Sequence, residues 1–217
     1  MYKTVVFDLD GTLLNTLTDL ADAGNRLCRK YGWPTHERQA YRYFVGNGIP
    51  KLVERLAPAD QRTPAVLEAA LADFKRDYGQ HLRDTTAPYP GIPEMLAKLK
   101  ANGVQLAVFS NKADALAKEV VKDYFGTQYF TIVRGQMTGV APKPAAEGTN
   151  AVLQALHADP ASTLYVGDSN VDVETAHNAN LPCCGAVWGF RTREELNAAG
   201  AEYLAENSDE LYDVIMK

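Results

Sequence analysis

Aspartates follow two of the apolar runs in this chain at the point where each run ends. Asp8 and Asp10 come directly after TVVF, and Asp168 comes directly after TLYVG. If these runs are parallel strands, their carboxyl ends meet at one edge of a sheet, where open sheets of this kind bind ligands. Carboxylates crowded together repel one another unless protons or a cation compensate. A hard divalent ion with oxygen ligands, commonly Mg²⁺, would supply that charge.

Hydrogen-bond donors and a cationic side chain are expected at the same edge. Ser110 and Asn111 end the run LAVFS, Lys143 lies between two prolines, and Asp172 follows shortly after Asp168. A hydroxyl, the backbone amides that follow it and a lysine can together hold a dianion. The combination predicts a phosphate site with a metal ion and a carboxylate nucleophile.

Each of these residues also has a purely structural interpretation. The pair Asp10–Gly11 between apolar runs is a strong signal for a two-residue hairpin turn. Ser110–Asn111 could cap the helix that follows, and Asp172 could be an acid in a first helical turn that interacts with the helix dipole. Taken alone, Lys143 would be an ordinary exposed loop lysine.

The elements that must position these residues change character along the chain. Residues 16–82 have apolar side chains only at helical spacing, whereas strands alternate with helices after the proline-rich TTAPYPGIP. Such alternation predicts a parallel sheet covered by helices on both faces. We therefore expect an α/β core of residues 1–15 and 83–217, interrupted by a helical domain at 16–82.

Composition excludes several classes of protein. The chain has 217 residues, 46% of them hydrophobic, and a formal net charge of -5, without the basic clusters that nucleic-acid binding requires. It has no apolar run of membrane-spanning length and no signal-peptide pattern. Three cysteines, two of them adjacent, form neither a disulfide framework nor a zinc pattern. We expect a cytoplasmic protein, either a monomer or a homodimer, that does not bind nucleic acid or membranes.

Four segments carry a resemblance to a known family. DLDGTLLNT (8–16), FSNK (109–112), Lys143 in PKP and GDSNVD (167–172) resemble, in order, the four motifs of the haloacid dehalogenase (HAD) superfamily of phosphatases. Within it the chain is similar to phosphoglycolate phosphatases in core length, in a helical cap inserted after the first motif and in the segment VGNGIPKLVERL. The resemblance implies a Rossmann-like parallel sheet core, the HAD fold, with an inserted α-helical cap domain.

The resemblance also implies a division of labour between the first two acids. Asp8 would be the nucleophile that forms an aspartyl-phosphate. Asp10 would protonate the leaving alkoxide and then activate the hydrolytic water. The side chain of Asp8, the backbone carbonyl of Asp10 and the side chain of Asp168 would hold Mg²⁺.

The remaining motif residues would hold or support the phosphoryl group. Ser110 and Lys143 would bind it, and the backbone N–H of Asn111 would add a donor. Asp172 would orient Lys143 or a water molecule on the metal. Thr12 would brace the loop that carries the nucleophile.

The predicted cap offers one candidate for substrate selection. Gly46-Asn47-Gly48 precedes a helix whose N-terminal amides suit a small carboxylate, and Lys51 and Arg55 share one face of that helix. Asn47 and Lys51 are therefore candidate substrate contacts. Alternatively, the two glycines only permit a tight turn between helices.

The leading functional hypothesis is a Mg²⁺-dependent phosphomonoester hydrolase acting on a small phosphorylated metabolite such as 2-phosphoglycolate. A phosphomutase resembling β-phosphoglucomutase would share every core residue. A haloacid dehalogenase needs neither a second acid nor a metal, so Asp10 and Asp168 argue against it. A non-catalytic binding module would have no use for the complete set of nucleophile, acid and cation.

Overall fold

The structure, a computed structural model, describes residues 1–217. These residues form two compact units. The sheet unit consists of Met1–Leu14 and Pro88–Lys217, and the helical unit consists of Asn15–Ala87. None of the ten α-helices combines the length and the hydrophobicity that a membrane-spanning helix requires.

The chain has eight strands, six of which form the centre of the sheet unit. They are β1 (Thr4–Phe7), β2 (Leu14–Asn15), β3 (Ala87–Pro88), β4 (Gln105–Ala113), β5 (Phe130–Gln136), β6 (Thr163–Gly167), β7 (Cys183–Ala186) and β8 (Tyr203–Ala205). Six of them form one sheet in the order β5-β4-β1-β6-β7-β8, while β2 and β3 pair separately. All neighbours in the six-stranded sheet are parallel, which confirms the predicted α/β class.

Helices connect and cover the strands. They are α1 (Leu17–Tyr31), α2 (Arg38–Phe44), α3 (Ile49–Leu56), α4 (Pro64–His81), α5 (Ile92–Ala101), α6 (Asp114–Phe125), α7 (Ala146–Leu156), α8 (Asn170–Asn178), α9 (Arg193–Ala198) and α10 (Ser208–Met216), with 3₁₀ turns at Ala59–Gln61 and Pro160–Ser162. The first four belong to the helical unit. Every residue of β1 and β6 is buried, as expected for parallel strands covered on both faces.

The register of the sheet aligns the strand ends that carry the site. In β1, Phe7 lies opposite Val108 of β4 and Val166 of β6. By the same register, Asp8 lies level with Phe109 and Gly167, the residues that follow Val108 and Val166. The alignment agrees with the prediction that polar residues after these strands lie at the carboxyl edge of the sheet.

The helical unit contains one buried carboxylate that fixes its last residues. Asp19, in α1, is 2% exposed and accepts hydrogen bonds from the backbone N–H and hydroxyl groups of Thr85 and Thr86 at 2.5 to 2.9 Å. These bonds tie the segment after α4 to α1. The helical unit consequently extends to Ala87, beyond the end of the helical periodicity at residue 82.

Candidate active site

The loop after β1 turns sharply at Gly11. Its φ of 94° lies in the region that favours glycine, and its N–H bonds the carbonyl of Leu14 at 2.8 Å. The strand that precedes the turn pairs in parallel with β4 and β6 rather than folding back on the segment that follows. The Asp-Gly pair thus makes a turn without making a hairpin.

Lys143 lies at the centre of a buried charge cluster. Its Nζ is 2.8 Å from Oδ1 of Asp8 and 2.7 Å from Oδ1 of Asp172, and only 2% of its side chain is exposed. The interpretation of Lys143 as an exposed loop lysine is therefore wrong. Lys143 therefore bridges the carboxylates of Asp8 and Asp172.

Side chains from two strands hold Lys143 in this position. Asn111, at the end of β4, accepts a hydrogen bond from the backbone N of Lys143 at 2.8 Å and donates one to its carbonyl at 3.2 Å. The Tyr165 hydroxyl, from β6, accepts a hydrogen bond from Nζ at 3.3 Å, and the Tyr165 and Phe109 rings flank the ammonium at 5.8 and 5.9 Å. A buried cation needs such surroundings because burial removes its hydration.

Asp168 is fixed by the loop after β1 and by the loop after β7. Its Oδ1 accepts a hydrogen bond from the Thr12 hydroxyl at 3.1 Å, and its Oδ2 accepts one from the Phe190 N–H at 2.7 Å. A Cβ atom at Gly11 would overlap this carboxylate, so glycine is required there for space as well as for backbone conformation.

Asp172 has both a structural and a charged partner. Its Oδ2 accepts hydrogen bonds from Ser169, from the N–H at 3.1 Å and the hydroxyl at 2.7 Å, as in a capping box at the start of α8. Its Oδ1 faces Lys143. The first-turn interpretation of Asp172 and its placement beside Lys143 both hold in the structure, because the two oxygens have different partners.

Asp10 has a different cationic partner from Asp8. The Nζ of Lys112 is 3.0 Å from Oδ1 and 3.3 Å from Oδ2 of Asp10, and the Lys112 side chain is 2% exposed. Two aspartates of one short loop are thus paired with separate lysines.

Burial shapes the protonation of the acidic cluster. Burial raises the pKa of Asp8 to about 7, although the neighbouring Lys143 acts in the opposite direction. Burial and the nearby carboxylates of Asp172 and Asp8 raise the pKa of Asp168 well above its usual range. Burial alone would lower the pKa of Lys143, but Asp172 and Asp8 outweigh it and raise that pKa.

These carboxylates have the composition of a cation site. Asp8, Asp168 and Asp172 each offer an oxygen, and the three oxygens lie within 4.8 Å of one another. Burial first, and the neighbouring carboxylates second, raise the pKa values of Asp8 and Asp168, so the charged forms of these two groups lack full compensation. Oxygen ligands and a deficit of positive charge fit a hard divalent ion.

The sequence pattern ends this strand at Ser110, but β4 continues to Ala113, and Ser110 is buried within it and accepts a hydrogen bond from the Lys112 N–H at 3.3 Å. The two candidates from the predicted cap belong to the helical unit. There, Asn47 Oδ1 accepts a hydrogen bond from Arg55 at 2.9 Å, and Lys51 pairs with Glu54 at 2.9 Å. Arg55 also bonds the carbonyls of Tyr43 and Phe44 at the end of α2, which fixes the loop that contains Asn47.

The sequence interpretation assigned no role to several residues of this site. Lys112 was visible in FSNK as a lysine next to Ser110 and Asn111, and Tyr165 as a polar residue inside a buried strand. No sequence signal indicated that Phe190 would bind Asp168, because that contact uses only the backbone N–H.

Comparison with known proteins agrees with this geometry. Residues 5–186 match the model of the haloacid dehalogenase-like hydrolases. A phosphoglycolate phosphatase from Thiobacillus denitrificans is 31% identical over 191 residues, which cover 87% of this chain and 84% of that protein. Another from Chromobacterium violaceum is 31% identical over 98% of this chain and 96% of its own.

A solved structure extends the similarity to the whole fold. A protein from Lactobacillus delbrueckii subsp. bulgaricus, provisionally assigned as a phosphoglycolate phosphatase, superimposes with a TM-score of 0.93 at 28% identity, covering 99% of this chain and 98% of its own. The chain belongs to the haloacid dehalogenase-like hydrolase family. Within that family it is a phosphatase.

Proposed function

We propose that this chain is a Mg²⁺-dependent phosphomonoester hydrolase that acts through an aspartyl-phosphate on Asp8, with a small metabolite such as 2-phosphoglycolate as its substrate. One observation carries the proposal. Asp8 and Asp10, two residues apart, pair with separate lysines, Lys143 and Lys112, which suits one carboxylate to attack and the other to proton transfer.

Asp8 is the proposed nucleophile. One of its carboxylate oxygens attacks phosphorus, the bond from phosphorus to the substrate oxygen breaks, and the phosphoryl group is transferred to Asp8. Asp10 donates its proton to the departing oxygen, which leaves as an alcohol. A water molecule then attacks phosphorus while Asp10 takes its proton, and Asp8 is regenerated with release of phosphate.

The chain provides the groups that hold the phosphoryl oxygens. Lys143, 2.8 Å from Asp8, and Ser110, in β4, are both buried, and the backbone N–H of Asn111 is the proposed additional donor. Asp172 and the Asn111 side chain position Lys143 through the contacts described above. Thr12 supports Asp168.

Asp8, Asp168 and the backbone carbonyl of Asp10 would hold Mg²⁺; the carboxylate oxygens of Asp8 and Asp168 lie within 4.8 Å of each other, which supports these two ligands. When bound, the ion neutralises phosphoryl oxygens and lets an anionic nucleophile approach an anionic ester.

The proposed substrate is a small phosphorylated metabolite of the cytoplasm. The names of the relatives support 2-phosphoglycolate. The helical unit is the proposed cap, and Asn47 and Lys51 are its candidate contacts with the carboxylate of such a substrate. A net charge of -5 argues against a nucleic-acid substrate.

A panel of phosphate esters tests the proposal, with kcat/KM measured for the purified protein with and without Mg²⁺. We expect hydrolysis that depends on Mg²⁺, with 2-phosphoglycolate among the best substrates. A requirement for a sugar bisphosphate would indicate a mutase, and equal values for all esters would remove the specific substrate.

Trapping the phosphoenzyme tests the mechanism. With an activated aryl phosphate, Asp10→Asn should still accumulate phosphate on Asp8 slowly, whereas Asp8→Asn should not. Hydrolysis by Asp8→Asn at the wild-type rate would contradict the mechanism.

A further inference from the structure

We propose that Lys112 is a positioning residue for Asp10, holding its carboxylate in the orientation from which it transfers the proton. The inference rests on the proposed role of Asp10 as general acid and base.

The contact between the two side chains is made at two points. Lys112 Nζ lies 3.0 Å from one carboxylate oxygen of Asp10 and 3.3 Å from the other, so the ammonium restrains rotation of the carboxylate about its last torsion. Asp10 retains 14% exposure of its side chain, whereas Lys112 retains 2%. The acid therefore remains accessible while the residue that holds it is enclosed.

The backbone of β4 is irregular around Lys112. The pairing with β5 shifts register between Phe109 and Ala113: Phe109 lies opposite Arg134, and Ala113 lies opposite Gln136. Three residues of β4, 110–112, thus lie opposite one residue of β5, Gly135, as in a β-bulge that redirects side chains beside a site. The redirected segment contains Ser110, Asn111 and Lys112.

Close packing fixes the backbone at this irregular segment. A Cβ atom at Gly135 of β5 would lie 2.5 Å from the carbonyl oxygen of Lys112, so the two backbones approach too closely for any side chain there. The Gly135 N–H also bonds Asp114 at 3.0 Å. A rigid backbone under Lys112 is what a positioning contact requires.

Asn111 and Lys112, which are adjacent in β4, act on the two aspartates of the loop after β1 in comparable ways. Asn111 fixes the backbone of Lys143 by two hydrogen bonds, and Lys143 faces Asp8. Lys112, the next residue, faces Asp10. Successive side chains of one strand end thus fix the surroundings of the proposed nucleophile and of the proposed acid separately.

A purely structural ion pair would have a different setting. Lys30, Lys51 and Lys118 pair with carboxylates while 46 to 57% of their side chains stay exposed. Burying a lysine costs desolvation that a surface pair avoids. Lys112 incurs that cost at the residue where proton transfer is proposed.

The test compares esters whose leaving groups need different help from an acid. An alkyl phosphate such as 2-phosphoglycolate needs protonation of its leaving oxygen, whereas 4-nitrophenyl phosphate has a leaving group that departs without it. For Lys112→Met we expect kcat/KM on the alkyl ester to fall on the order of 100-fold, because misplacing a reacting group by about 1 Å has that effect. On the aryl ester we expect kcat/KM to fall less than about threefold, because its leaving group departs without an acid, whereas kcat should fall on both esters because Asp10 also activates the hydrolytic water.

Matched variants make the comparison specific. Lys112→Arg keeps the cation and should recover most of the loss, and Lys118→Met, a surface lysine of α6, should behave as wild type. In an Asp10→Asn background, Lys112→Met should add little further loss, because the carboxylate it positions is gone. This double variant and Lys112→Arg also serve if Lys112→Met alone fails to fold.

The outcomes separate this inference from the proposed function. Equal losses of kcat/KM on the two esters for Lys112→Met, or a full additional loss in the Asp10→Asn background, would overturn the role of Lys112. If Asp10→Asn itself shows no dependence on the leaving group, the proposed acid role of Asp10 fails, and this inference fails with it. If the loss depends on the leaving group in Asp10→Asn but not in Lys112→Met, only the role of Lys112 is rejected.

Discussion

In the sheet unit, Lys112 and Lys143 are almost completely buried against aspartates, with 2% of each side chain exposed. In the helical unit, Arg26 pairs with Asp77 at 2.7 Å and Lys51 with Glu54 at 2.9 Å, while a third or more of each side chain remains exposed. Distances between charges are thus similar in both units, but the surroundings differ.

The difference in surroundings decides what each pair contributes. An exposed pair is screened by water and stabilises a protein by about 0 to 1 kcal/mol. A buried pair loses hydration on both sides, and removing one partner costs about 3–5 kcal/mol because it leaves an uncompensated charge. Because of this desolvation cost, buried ion pairs contribute little net stability. Their concentration at one edge of the sheet is typical of a functional site.

Breaking the central buried pair should have the largest effect. Lys143→Met leaves Asp8 and Asp172 facing each other without a cation, so we expect a loss of about 3–5 kcal/mol in unfolding free energy. Lys143 is also proposed to hold the phosphoryl oxygens, and on that proposal its loss should lower kcat by about 10²- to 10³-fold. Urea denaturation and steady-state kinetics measure the two effects. A fully stable Lys143→Met protein would show that the pair contributes less than its burial implies.

Protonation offers a second way to disturb the buried cluster. Burial raises the pKa of Asp8 to about 7 and that of Asp168 well above its usual range, so both carboxyls hold protons that the unfolded chain has already lost. Where the folded state binds more protons, stability falls as pH rises, here between about pH 4 and pH 7 without a divalent ion.

Added Mg²⁺ should reverse that trend, because ligation requires deprotonated carboxylates. Thermal unfolding at pH 5 and pH 7.5 should show a larger rise in Tm with Mg²⁺ at the higher pH. Asp168→Asn should reduce the rise. An equal rise at both pH values in the wild-type protein would contradict a role for these carboxylates in binding the ion.

The sequence predicted the sheet-unit residues well because strand ends impose a simple rule. TVVF, LAVFS and TLYVG are short buried runs, and parallel pairing of β1 with β4 and β6 brings their ends to one level. The same rule explains why Lys143 was harder to judge. It lies on a connection rather than at a strand end, and its burial depends on the Asn111 and Tyr165 contacts, which no local pattern shows.

Other features depended on contacts between distant segments. The partner of Asp10 is 102 positions away, and the register shift that redirects Lys112 is a property of β4 and β5 together. β8 and α9 have three and six residues, too few for a hydrophobic period to be recognised. Asp19 gave no signal in the sequence because its partners, Thr85 and Thr86, follow the end of the helical pattern.

Asp19 sharpens the comparison, because it is a buried carboxylate in the unit whose ion pairs are exposed. It is satisfied by four neutral donors from Thr85 and Thr86 rather than by a lysine. Asp19→Ala leaves those donors without their acceptor, so we expect a loss of about 1–3 kcal/mol in unfolding free energy. Asp22→Ala, an exposed position of the same helix, is the control and should have almost no effect. Denaturation that is the same for both variants would mean that the buried bonds contribute nothing net.

The smallest effect on stability should come from the Lys51–Glu54 pair of α3. Both side chains are well exposed, with 46% and 38% of their surfaces accessible, so Lys51→Ala should change the unfolding free energy by less than about 1 kcal/mol. Any large effect must then be on the substrate. If Lys51 contacts a carboxylate, Lys51→Ala should raise KM for carboxylated phosphoesters more than for a neutral aryl phosphate. Equal changes in KM for both would remove Lys51 from the substrate site, and its exposed ion pair would then be only a surface feature of the helical unit.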